Sequence, residues 1–185
     1  DNQTALLIAW SMGTAAASYV LFTAYLVSLG QTWRNSKRAR AMLTVIVLSA
    51  LWASVGTLFA LSSKAILFVS GSILDILRYG AWYVFLILLL SPAEARQRIG
   101  RVFPAWLIPL CWVTVIGGIA LHLAVALELL PAATWARAQL LQALGMIVLA
   151  LILLEQLFRN VTDDARWNVK PLCLALLGQF GFDLF

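Results

Sequence analysis

The chain has 185 residues, 63% of them hydrophobic and only 11% charged, with a formal net charge of +5 and a mean hydropathy of +0.93. A soluble domain carries about 25% charged residues to cover a surface that faces water, so this composition excludes an ordinary soluble domain and makes the lipid bilayer the expected partner. The basic balance does not argue for nucleic acid: the lysines and arginines sit in short gaps between apolar runs, where they set membrane topology.

A membrane helix needs about 20 mostly apolar residues to cross roughly 30 Å of hydrocarbon. Five runs meet that length: 5–29, 41–61, 67–90, 104–127 and 136–158. The third contains Asp75 and Arg78, and its Ser70-Gly71-Ser72 stretch allows a break that would leave 67–69 as a re-entrant or interfacial piece. A sixth run starts near Val169 and reaches Phe185, short of a full span. The predicted fold is therefore an all-α polytopic transmembrane bundle: one membrane-embedded domain over 1–185, with five complete spans and a truncated sixth. Lipid forbids open sheet edges, which excludes strands for runs of this length. The first run is too long, and lacks the basic leading region, for a cleavable signal.

Charge placement predicts orientation. Arg34, Lys37, Arg38 and Arg40 lie in the first gap, Arg96, Arg98 and Arg101 after the third run, and Arg159, Arg166 and Lys170 after the fifth. These alternate gaps hold ten of the thirteen basic residues. The positive-inside rule puts them in the cytoplasm and the N-terminus outside. Trp10, Trp33, Trp106, Trp135 and Trp167 lie near predicted helix ends, where an amphipathic ring prefers the interface. Cys111 and Cys173 fall inside apolar runs and read as small buried hydrophobes. Gly117-Gly118, and Gly13 with Ala17, offer places for close helix contact.

Ionisable residues inside a span are costly and become functional candidates. At 1.5 Å per residue, Asp75 and Arg78 lie about 10 to 15 Å below the outer end of the third run. His122 lies roughly 6 to 8 Å below the outer end of the fourth, and Asp183 about 9 Å below the outer surface. These four form a candidate sensing layer, with Glu128 and Arg137 just above it. Asp75 and Arg78 are three apart and share a face. Three readings stand for the pair: a structural ion pair, a polar pocket open to the periplasm, or part of an ion pathway. The last has no mid-depth acid on the first, second, fourth or fifth run to continue it. His122, the single histidine, reads as a structural hydrogen-bonding residue or as a pH-responsive one.

A second candidate cluster lies at the inner surface: Glu155, Gln156, Arg159, Asn160, Arg166, Trp167 and Lys170. It reads either as a solvated helix end or as an anchor that couples the membrane to a cytoplasmic domain. No zinc-protease, nucleophile-elbow or phosphate-loop motif occurs, and no metal-ligand spacing. No catalytic residue, metal ligand or cofactor site is assigned.

The stretch 153–185 carries Glu155-Gln156-Leu157-Phe158-Arg159-Asn160, then Arg166-Trp167, Lys170-Pro171-Leu172-Cys173-Leu174 and Asp183. It resembles the PEP-CTERM system-associated histidine kinase family of the PrsK type. The Arg78-Tyr79-x-x-Trp82 unit and residues 18–30 are also similar to that family. The resemblance implies a multi-span sensor in a bacterial inner membrane, followed by a cytoplasmic GAF-type region and a kinase core. It further implies a homodimer, a cognate response regulator, ATP and Mg for the downstream kinase, and a link to exopolysaccharide production and exosortase-based sorting. The phospho-accepting histidine would lie downstream, so His122 is not assigned that role. The alternative is a small solute or ion transporter using Asp75, Arg78 and Asp183.

Overall fold

The computed structural model describes residues 2–28, 36–90, 106–127, 132–160 and 163–183. Trp33, Arg34, Arg96, Arg98, Arg101 and Glu128 lie outside them. Six helices follow in order: α1 (Asn2–Ser28), α2 (Lys37–Ser62), α3 (Ala65–Leu90), α4 (Leu107–Ala126), α5 (Ala132–Asn160) and α6 (Asp163–Asp183). No strand occurs among the described residues. Helices α1 to α5 are long and apolar enough to cross a membrane, and the chain is a multi-pass membrane protein.

Helix ends differ from the apolar limits in an instructive way. Helix α2 begins at Lys37, four residues before its apolar run, and α5 continues to Asn160. Lysine, arginine, glutamine and glutamate are good helix formers, so a helix outlasts the hydrocarbon it crosses. Hydropathy measures the thickness of the solvent, not the length of the helix. Helix α6 starts six residues before the expected Val169, and it carries Pro171 inside it.

The break allowed at Ser70-Gly71-Ser72 does not form, and α3 runs through it. Ser70 Oγ donates to Ile66 O at 2.7 Å and Ser72 Oγ to Phe68 O at 3.0 Å, so both hydroxyls are satisfied within the helix. Gly71 faces Val55 of α2, where a Cβ would meet Val55 Cγ1 at 3.6 Å. Breaking a helix in lipid exposes backbone groups that nothing there can satisfy; packing two helices across small residues exposes none.

Two compact units divide the chain, Asp1–Ala81 and Trp82–Phe185, and the division falls inside α3. In the first unit, α1 packs along α2, with Met12 over Gly56 and Gly13 beside Thr57. Of the described side chains of α1, only Ala9 and Leu26 are buried. Leu7, Trp10, Leu21, Tyr25 and Val27 stand exposed, an apolar face consistent with contact to lipid. Helices α2 and α3 form a hairpin on Ser63 and Lys64. Ser63 takes a left-handed conformation (φ 51°, ψ 25°), and its N–H donates to Phe59 O at 2.7 Å. That geometry is usually a glycine's, because a Cβ there crowds the backbone.

The second unit buries one face of each helix, widened in α5 by Ile147, Leu149 and Leu154, and a stripe runs along each. In α4 the stripe is Leu107, Cys111 and Val115; in α5 it is Met146, Ala150, Leu153 and Leu157; in α6 it is Cys173, Leu176 and Phe180. Each repeats every three to four residues, the spacing that keeps one helix face on its neighbour. Trp82, Tyr83, Phe85 and Leu86 of α3 complete the core. Trp82 meets Phe180 edge to face, with ring centroids 5.7 Å apart.

Candidate functional site

The hairpin fixes the register of α2 against α3. Phe59 lies four residues before Ser63 and Phe68 four after Lys64, and their rings meet at 5.7 Å. The same count places Trp52, eleven residues before Ser63, level with Asp75, eleven after Lys64. Arg78 lies one turn beyond. A helical side chain leans toward the N-terminus of its helix and covers the preceding turn, so Arg78 reaches back to the level of Asp75 and Trp52.

Arg78 is enclosed as a result. Its side chain is 3% exposed, against 35% for Asp75. A single carboxylate oxygen, Asp75 Oδ1, accepts from both Arg78 Nη2 at 2.8 Å and Nε at 3.1 Å. The guanidinium carbon lies 4.0 Å from the centroid of the Trp52 ring and 4.9 Å from that of Tyr79. A cation over an aromatic face gains about 2 kcal/mol when desolvated, which offsets part of the cost of taking a charge out of water. Arginine stays protonated in proteins, so Arg78 keeps its charge inside this enclosure. Asp75 is its half-open side.

The other two residues of the expected layer belong to the second unit. His122 of α4 bonds through Nδ1 to Gly118 O, 2.9 Å away in its own helix, as expected of a structural histidine. Asp183 is the half-buried last residue of α6. Tyr83 supplies an interhelical tie that sequence reasoning missed: its hydroxyl donates to Met146 O at 2.7 Å. Interhelical hydrogen bonds in membranes average about 0.6 kcal/mol, so Tyr83→Phe should lower stability by about that much, read from the thermal midpoint in detergent micelles. The small value follows because the substitution removes the donor outright and leaves no orphaned hydroxyl.

At the other candidate cluster, Arg159 Nη1 lies 3.3 Å from Glu155 Oε1, with both side chains more than half exposed. Asn160 Nδ2 donates to Gln156 O at 2.7 Å. Both bonds are local to one helix end, and such an exposed ion pair contributes about 0.3–0.5 kcal/mol. Lys170 is exposed. Arg166 and Trp167 lie in the first turns of α6, with side chains outside the described set. Of the small-residue positions, Gly118 and Gly13 make close contacts, whereas nothing approaches Gly117.

Trp52 was not picked out from sequence, although it carried a signal: it is a tryptophan at the middle of a span rather than at the interface where tryptophans collect. Among the described residues no three His, Cys, Asp or Glu side chains converge as a metal site would require. No known family model, curated protein or solved structure matches this chain.

Proposed function

We propose that this chain is the membrane sensor portion of a two-component histidine kinase linked to exopolysaccharide and exosortase systems, held in a bacterial inner membrane. The observation that carries the reading is a buried arginine, Arg78, paired with the half-exposed Asp75, inside the membrane region of a chain whose stretch 153–185 resembles the PrsK-type kinases. Maintaining a charge in an apolar bundle is expensive, and such residues mark functional positions by default. In this reading the N-terminus lies outside and the basic connections lie in the cytoplasm. Helix α6 begins a sixth crossing, and the polar end of α5 with the start of α6 passes motion inward. GAF-type and kinase modules follow, using ATP and Mg. The kinase works as a homodimer and phosphorylates a cognate response regulator.

Two measurements test this. The gene read beyond Phe185 should encode a histidine kinase core; an open reading frame that closes after a few more spans ends the proposal. In the full-length protein in lipid nanodiscs, Arg78→Glu should change autophosphorylation several-fold, while Leu21→Ala on the exposed face of α1 should leave it unchanged. The transporter reading is favoured instead if Asp75→Asn abolishes potential-driven uptake of a solute, since Asp75 is the partly exposed member of the pair.

A further inference from the structure

Helices α4 and α5 meet at a glycine. A Cβ on Gly118 would overlap the Gln142 amide and stand 2.7 Å from its Cδ. Only a residue without a side chain leaves that seat open. The amide resting there donates from Nε2 to Met146 Sδ at 3.4 Å, one turn along its own helix. A thioether sulfur is a weak acceptor.

A better acceptor is held at the same glycine. His122 is one turn beyond Gly118 on the same face of α4. Its Nδ1 is bonded to Gly118 O at 2.9 Å. A carbonyl oxygen only accepts, so Nδ1 carries the proton, and Nε2 of the neutral ring presents a lone pair. That Nε2 is buried and has no hydrogen-bond partner among the described residues. An acceptor without a donor and a donor spent on a weak acceptor are therefore both held at Gly118, one through its carbonyl and the other over its Cα. Buried polar groups rarely stay unmatched.

We propose that Gln142 is a two-position latch on the α4–α5 seam, its amide alternating between Met146 Sδ and His122 Nε2 across the cleft at Gly118. The first position is a bond within α5; the second creates a polar tie between the two helices, about one turn from Gly118 toward the C-terminal end of α4. The seam thus has two discrete arrangements that differ by a side-chain rotation, the kind of element that a small stimulus can bias. The device is independent of the kinase reading.

His122 is the one histidine of residues 1–185, and the loss of its signals in His122→Gln assigns its imidazole in the 15N-histidine NMR spectrum of the protein in lipid nanodiscs. At a pH above the ordinary imidazole range, the wild-type Nε2 resonance should fall between the values of unbonded and hydrogen-bonded imine nitrogens. Gln142→Leu should shift it to the unbonded value. Met146→Leu, which conserves volume and removes the competing sulfur, should shift it the opposite way. An Nε2 resonance that stays put in Gln142→Leu overturns the latch. If that variant does not fold, Met146→Leu decides alone, and an unmoved resonance there overturns it equally.

Discussion

Asp75→Ala should destabilise the protein by about 3 kcal/mol, the lower end of the range for breaking a buried ion pair. Thermal or denaturant unfolding in micelles would measure it. The substitution leaves the Arg78 guanidinium in an apolar bundle, 3% exposed, without the carboxylate that accepts two of its bonds. The Trp52 ring still covers one face of the cation, which holds the loss to the lower end. Arg78→Met should cost less than Asp75→Ala, because the carboxylate it leaves behind is 35% exposed and can recruit water or a proton. The double variant Asp75→Leu with Arg78→Met should recover most of the loss, since a buried pair replaced by apolar residues of similar volume is often neutral or stabilising. Losses that simply add would show that the two charges do not act as a pair. Stability and signalling should then part company: a double variant that folds well yet no longer signals would assign the pair to function rather than to packing.

Leu153→Ala and Leu141→Ala make the second contrast, with the same substitution on the same helix. Leu153 is fully buried in the second unit and Leu141 is 70% exposed. Leucine-to-alanine changes in soluble cores cost about 2.7–5.0 kcal/mol, part from transfer out of water and part from the cavity left behind. Lipid is as apolar as a leucine side chain, so the transfer share largely drops out and the packing share remains. Leu153→Ala should therefore cost about 2 kcal/mol, and Leu141→Ala under about 0.5 kcal/mol. Equal losses at the two positions would mean that α5 does not present the Met146–Ala150–Leu153–Leu157 stripe to its neighbours.

Such stripes explain why some of the site was legible in advance and some was not. Asp75 and Arg78 could be paired from their three-residue spacing alone, because neighbours on a helix surface are fixed by helix geometry. Trp52 could not be added to them. Its position over Arg78 depends on the α2–α3 register, and that register depends on Ser63 turning left-handed where no glycine signals a turn. Gly118 was visible as a small residue, but its partner Gln142 lies on another helix and no spacing rule connects the two. The Ser70-Gly71-Ser72 break is the opposite case. Turn-forming residues read as a turn when water is the solvent, but lipid removes that option by leaving the freed backbone groups without partners.

The all-helical, polytopic character of the protein, with the approximate limits of five membrane-length helices, is determined by the sequence alone. Nearly unbroken apolar runs of that length have one stable form in lipid, and this requires no knowledge of their neighbours. Which face of each helix is buried was decided by the tertiary structure. In water a buried face declares itself by contrast with a polar one; in a bilayer both faces are apolar, and Leu141 and Leu153 read alike until the helices are packed.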